Sequence, residues 1–322
     1  MIQVSAPGKL MLFGEHAVVH GKPCIVTSVD QRIEVKANFN GANELVVNAP
    51  QLGIKDYKQT VMQLCRQEMP KQMCFIEATV KRFYQKYGLK KGLNITTHSQ
   101  FSHTFGFGSS SAITIATVKA LSLLYQIKMS NKEIFDLGYQ AVLDIQGVGS
   151  GFDLAAALWG GTLFYRKAAS VVEQLKIKSL PLIVCYSGVK ADTPTLVRQV
   201  AELKRKQPKK VIRIFNQIEE ITFKAKKLLE QKKWRELGGL MNQNQKLLEK
   251  LEVSTMLLEK LIKAALNAGA LGAKLSGAGG GDNIIALYPT NKRKKIGQAL
   301  RKAGGQIMKV KLNSKGVIFS IS

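Results

Sequence analysis

A chain of 322 residues with 45% hydrophobic residues can bury one large or two medium soluble cores, and no apolar run in it is long enough to span a bilayer. Its 48 Lys and Arg against 22 Asp and Glu leave a formal charge of +26, which disfavours acidic-protein roles and points to anionic substrates or polyanionic partners. The four cysteines, Cys24, Cys65, Cys74 and Cys185, form no CxxC pair, which excludes a zinc ribbon and a disulfide scaffold and reads as reduced, structural thiols.

The opening Met1-Ile2-Gln3-Val4-Ser5 has neither the charged nor the apolar region of a signal peptide, so a cytoplasmic location is expected. Cys24–Val29 and Leu45–Val47 read as strands beside Gln31–Phe39, where Ile33, Val35, Ala37 and Phe39 alternate with Arg32, Glu34, Lys36 and Asn38. Asp56–Tyr87 has helical spacing. Leu93, Ile95 and Thr97 alternate again and deliver the chain to Phe105-Gly106-Phe107-Gly108-Ser109-Ser110-Ser111. An apolar helix follows through Leu124, and Ser130-Asn131-Lys132-Glu133 is a capping box for the next, through Val142. The Lys-rich stretch from Arg166 to Lys178 reads as the seam between two α+β halves, residues 1–170 and 171–322. In the second half Leu180–Tyr186 reads as a strand. Asp192-Thr193-Pro194 opens a helix, and Val211–Leu229, Arg235–Leu251 and Met256–Ala268 are helical in spacing. Met308, Val310 and Leu312, then Val317, Phe319 and Ile321, read as closing strands. The basic clusters, such as Lys204-Arg205-Lys206 and Lys292-Arg293-Lys294-Lys295, carry no interleaved aromatics and read as solvated helix faces.

Three glycine-rich stations carry the chemistry. Gly106 and Gly108 permit backbone angles that turn successive N–H groups towards one point. Three serines follow, and the helix behind them presents its positive end, so the loop is an anion site. The other stations are Ala6-Pro7-Gly8-Lys9-Leu10 with Phe13-Gly14-Glu15-His16-Ala17, and Lys274-Leu275-Ser276-Gly277-Ala278-Gly279-Gly280-Gly281-Asp282. None fits a Walker or a dinucleotide-binding fingerprint. A lone Gly147-Val148-Gly149-Ser150-Gly151-Phe152-Asp153 segment would read as a turn with a capping aspartate.

Together, in this order and over nearly the whole chain, the stations resemble those of the GHMP kinases, the small-molecule kinases of the galactokinase, homoserine kinase, mevalonate kinase and phosphomevalonate kinase group. The first station is most similar to the mevalonate kinase branch. The resemblance implies an α+β, two-domain GHMP kinase fold, with an N-terminal domain like ribosomal protein S5 domain 2 and a ferredoxin-like C-terminal domain. It implies transfer of the γ-phosphoryl group of ATP to a substrate hydroxyl with Mg²⁺, a reaction that needs positioning, charge neutralisation and a proton acceptor. On the matched positions, Asp153 is the expected base and Lys9 its partner. Gly106, Gly108, Ser109, Ser110 and Ser111 are expected to hold the phosphates, with Ser110 near Mg²⁺. Ser276, Gly277, Gly279 and Gly280 are expected to shape the phosphate pocket, and Glu15, His16 and Thr193 to contact substrate. Thr193 is equally well read as a helix cap, and His16 as a structural hydrogen bond.

Some positions depart from the family pattern. Val142 stands where mevalonate kinases carry a Mg²⁺-binding glutamate, eleven residues before Asp153, which leaves Asp144 as the expected acidic ligand. Asp282 stands where a fourth glycine is common, and a carboxylate near phosphates must point away or touch the metal. Gly147–Ala157 resembles phosphomevalonate kinases more than mevalonate kinases, so the acceptor stays open between an alcohol and a phosphate. A different class is a basic nucleic-acid-binding protein with a decayed kinase site, which the retained Lys9, Ser110 and Asp153 oppose. No membrane partner is expected, and the oligomeric state, a homodimer included, is open.

Overall fold

A computed structural model describes residues 1–64 and 73–321. Cys65, expected to be a structural thiol, lies outside the described residues; Cys24 and Cys185 are buried thiols outside any disulfide. The chain forms β1 (Ile2–Phe13), β2 (Cys24–Phe39), β3 (Glu44–Ala49), β4 (Ile54–Thr60), α1 (Cys74–Tyr87), β5 (Leu93–Ser99), α2 (Ser109–Leu124), α3 (Asn131–Gln146), α4 (Phe152–Trp159), β6 (Thr162–Arg166) and β7 (Val171–Gln174). It continues with β8 (Leu182–Tyr186), α5 (Thr193–Lys206), α6 (Pro208–Glu230), α7 (Trp234–Lys250), α8 (Met256–Asn267), β9 (Gly272–Ser276), β10 (Asn283–Leu287), α9 (Arg293–Lys302), β11 (Gln306–Met308) and β12 (Ile318–Ile321).

Among the described residues the first sheet runs β12-β1-β2-β5-β3-β4, with β6 and β7 continuing from the other part of β2. Its pairs are antiparallel except β3 with β5. The second sheet is antiparallel, β11-β8-β10-β9, with α7 and α8 packed on β9. This is the expected α+β fold. α2 lies against β1, β2, α1, α3 and α4, and its run from Ser111 to Val118 is wholly buried. A helix apolar on all sides is a core element, so its N-terminus is held by packing from every side.

Several expectations change. Of the helical spacing over Asp56–Tyr87, the described part holds the α-helix Cys74–Tyr87, while Ile54–Thr60 is the mostly exposed strand β4, ordered by pairing with β3. Cys24–Val29 and Gln31–Phe39 are one strand of 16 residues, because Asp30 and Gln31 continue the extended backbone. α9 arises within a Lys/Arg-rich segment through its Ile296–Leu300 stripe. Nor does the chain divide cleanly at residue 170. β7 extends the first sheet beyond it, and the C-terminal segment crosses back, with Asp30 N–H bonded to Lys311 and β12 paired to β1. The closing strand expected over Val317, Phe319 and Ile321 forms as β12 (Ile318–Ile321), an edge strand whose Phe319 and Ile321 are exposed.

The returning segment is fixed by close backbone contact. Arg32 donates to the carbonyls of Ser5, Lys315 and Gly316, and Gly160 bridges to Lys315. A Cβ on Gly316 would lie 2.2 Å from the carbonyl oxygen of Leu158. Gly316→Ala is therefore expected to lower stability by about 1–3 kcal/mol. A urea midpoint equal to the wild type would show that the strap does not contribute.

Candidate active site

Lys9 sits where β1 is interrupted. The β1–β2 register shifts between Pro7 and Lys9, a bulge that re-aims the following side chain. Gly8 lets the triphosphate-loop candidate approach: a Cβ there would lie 2.9 Å from the Phe107 carbonyl oxygen. Lys9 N–H donates to that carbonyl at 2.9 Å, and Lys9 Nζ donates to the carbonyl of Gly106 at 3.1 Å. The first station is thus zipped to the second by both backbone and side chain.

At the second station Gly106 and Gly108 are both left-handed (φ 67° and 74°). Gly108 is the N-cap of α2 and supplies no side chain, so the first-turn N–H groups that no helix ladder satisfies remain available to an anion. Ser109 and Ser110 are half-buried there, whereas Ser111, expected beside them, is turned into the core. A Cβ on Gly108 would meet Lys9 Cε at 3.0 Å and Asp153 Cβ at 3.6 Å. The absent side chain is what allows the loop, the lysine and the aspartate to converge.

Asp153 stands in the first turn of α4, where the positive helix end favours a carboxylate. The loop before it is tied down through its carbonyls: Tyr139 Oη donates to Gly149 at 2.8 Å and Tyr165 Oη to Ser150 at 2.6 Å. Gly151 (φ 83°) packs against Phe135 and Tyr165, leaving no room for a Cβ. Lys9 and Asp153 do not make a direct ion pair; they act through space. Lys9 is ringed by protein and lies 5.4 Å from the Phe152 ring centroid. Desolvation lowers its pKa, and the Asp153 charge is the largest influence opposing that shift.

The third station makes bracing contacts to the first. Ser276 Oγ donates to the Met11 carbonyl at 2.8 Å. Gly279 and Gly280 allow close contact with Val253 and Leu196, and the backbone from Gly277 to Ala278 is the more open part. Glu15 and His16, expected to contact substrate, are buried in the same brace. Glu15 has no exposed surface; one oxygen pairs with the equally buried Lys274 and the other accepts from Asn244 Nδ2 at 3.1 Å. His16, in left-handed backbone (φ 59°), donates from Nε2 to the Ala278 carbonyl at 2.9 Å, and burial lowers its pKa. Burial likewise lowers the pKa of Lys274. Thr193 is exposed at the start of α5, but the cap is Asp192, whose carboxylate accepts from the Thr195 N–H at 3.5 Å and hydroxyl at 2.6 Å.

Asp144, expected to hold Mg²⁺, pairs through both oxygens with Arg82 on α1. That occupation takes it out of the donor set. Among the described residues no group of three or more His, Cys, Asp or Glu converges. What faces the loop is a hydroxyl, Ser110, and a carboxylate, Asp153, both hard oxygen donors. They suit a Mg²⁺ that arrives on phosphates with its water shell rather than one held in an all-protein cage. Lys274 and Asn244 carry no role in the sequence pattern; a lysine and an asparagine on otherwise apolar-facing positions are the available signals.

Breaking a fully buried ion pair leaves an uncompensated charge, which costs about 3–5 kcal/mol. Lys274→Met is expected to destabilise by that amount, and Glu15→Gln/Lys274→Met to recover most of it. Equal urea midpoints for Lys274→Met and wild type would remove the pair from the architecture.

Family models for the GHMP kinases N terminal domain and the GHMP kinases C terminal match residues 75–161 and 225–306. A mevalonate kinase of Pyrococcus abyssi is 33% identical over 98% of this chain and 97% of its own length. The crystal structure of the Methanococcus jannaschii mevalonate kinase superposes with a TM-score of 0.81 at 28% identity, covering 98% of each chain. That of the L. major mevalonate kinase in complex with R-mevalonate gives a TM-score of 0.77 at 27% identity, over 97% of this chain and 96% of that one. Among the described residues no helix is long and apolar enough to cross a membrane. With both halves matched and the similarity running end to end, the chain belongs to the GHMP kinase family.

Proposed function

We propose that the chain is an ATP-dependent mevalonate kinase, transferring the γ-phosphoryl group to the mevalonate hydroxyl on the route to isoprenoid precursors. The observation that carries this reading is the convergence of Lys9 and Asp153 on Gly108 at the head of α2. A donor phosphate and an acceptor hydroxyl can meet there. The near-full-length likeness to proteins named mevalonate kinase supports the choice of acceptor.

In this reading the triphosphate lies along Gly106–Ser110, met by the first-turn N–H groups of α2 and the two half-buried serine hydroxyls. Lys9, anchored to the Gly106 carbonyl, keeps its ammonium at the junction between loop and acceptor and stabilises charge on the reacting oxygens. Asp153 orients the acceptor hydroxyl and takes its proton as the oxygen attacks the γ-phosphorus and the bond to the ADP oxygen breaks. Ser110 and Asp153 are the oxygen donors that would hold Mg²⁺, which would supply neutralisation of the phosphate charge. The loop before Asp153 is held by Tyr139 and Tyr165, and the Phe152 ring stands beside Lys9.

The similarity of Gly147–Ala157 to phosphomevalonate kinases supplies a second acceptor to test. Purified protein with ATP and Mg²⁺ is expected to phosphorylate mevalonate and to leave phosphomevalonate untouched. The reverse result would overturn the acceptor while leaving phosphotransfer intact. Asp153→Asn is expected to keep ATP binding and the fold and to lower kcat by about 10²–10⁴-fold. Near-normal turnover would refute the role given to Asp153.

A further inference from the structure

Asp282 is placed against ordinary electrostatics. It ends the third glycine loop in left-handed backbone (φ 54°), is only 9% exposed, and borders a loop that receives phosphates. Its carboxylate is fully engaged. Oδ1 accepts from the Ala191 N–H at 3.1 Å and from Lys190 Nζ at 3.2 Å, and Oδ2 lies 3.4 Å from the same ammonium. The side chain also packs on the triphosphate loop: a Cβ on Gly106 would lie 2.5 Å from Asp282 Cγ. The next residue, Asn283, donates from Nδ2 to the Phe105 carbonyl at 2.6 Å, and its buried Oδ1 has no partner. Consecutive residues at the start of β10 therefore clasp consecutive residues of the loop, and Lys190 is attached to the clasp.

Lys190 lies within the electrostatic reach of the site. Its charge lowers the pKa of Lys9, while Asp282 raises it. Unlike Lys9, it can move: its side chain is 44% exposed and its head group has one protein acceptor, Asp282. Phosphates along Gly106–Ser110 would compete with that carboxylate for the same ammonium. They would not disturb the Ala191 N–H, which keeps Asp282 in place. A doubly bonded carboxylate beside a flexible ammonium is a device for sharing a cation, and phosphoryl transfer with Val142 in place of a metal-binding glutamate has use for one more positive charge.

Resting on the reading of Gly106–Ser110 as a triphosphate loop, we infer that Lys190 is a further phosphate-positioning residue. Its ammonium is shared between Asp282 and the nucleotide, and Asp282 sets how much of that charge the phosphates receive.

The test is calorimetric binding of ADP and a non-hydrolysable ATP analogue to the full chain, with and without Mg²⁺ and without acceptor. Lys190→Met is expected to weaken binding of the analogue about tenfold, a charge-assisted hydrogen bond to phosphate, and Lys190→Arg to restore most of it. Asp282→Asn keeps an acceptor for Ala191 N–H and is expected to tighten binding several-fold by releasing Lys190 and removing a negative charge. The decisive comparison is Lys190→Met in the Asp282→Asn background. A direct contact predicts a penalty there at least as large as in the wild type. If Lys190 only balances Asp282, the penalty vanishes in that background and the inference is overturned, as it is if Lys190→Met has no effect in either. Failure of the wild type to bind any nucleotide would instead overturn the kinase reading itself.

Discussion

The site depends on one buried ion pair. Glu15 comes from the first glycine station and Lys274 from the third, 259 residues apart, and neither has any exposed surface. Two charges taken out of water hold their positions only when both remain in contact, so the pair fixes the first sheet against the second at one point. The flanking bonds extend that point into a seam: Asn244 to Glu15, His16 to the Ala278 carbonyl, and Ser276 to the Met11 carbonyl. Lys9 emerges from the same strand as Met11, two residues earlier. The position of the site's buried ammonium thus follows from a contact it does not itself make.

A second constraint is steric. Each close approach in the site is permitted by a missing side chain: Gly8 against Phe107, Gly106 against Asp282, Gly108 against Lys9 and Asp153, Gly151 against Phe135 and Tyr165. The glycines do different work in different places. At Gly108 the left-handed backbone opens the first turn of α2 to an anion, whereas at Gly279 and Gly280 close packing with Val253 and Leu196 joins the loop to its own domain. A count of glycines cannot separate these uses.

Much of the fold and part of the site were legible in the sequence. Strict alternation gave β2 and β5, helical spacing gave α6, α7 and α8, and Ser130 with Glu133 gave the capped start of α3. Lys9, Gly106, Gly108 and Asp153 carry their chemistry in local patterns, and the structure gathers them. Glu15, His16 and Asp144 read otherwise because their partners are remote in sequence: Lys274, Ala278 and Arg82 lie 259, 262 and 62 positions away. A polar side chain beside a motif looks like a ligand-binding group until its partner is known. β4 reads as helical in spacing for a related reason: an edge strand takes its order from a neighbour's backbone, which leaves little trace in its own apolar pattern.

The charge distribution around Lys9 bears on how the departures from the family pattern fit together. Position 142 carries valine, and the Asp282 carboxylate is among the groups that raise the pKa of Lys9. Asp282 is tied to the Ala191 N–H and to Lys190, so its charge is partly spent on the second domain before it reaches the phosphates. Position 142 looks into the core beneath α3, where valine packs and a carboxylate would need the metal as its partner. Asp282 thus brings negative charge to the rim of the loop already paired with a lysine, within a chain whose overall charge is +26.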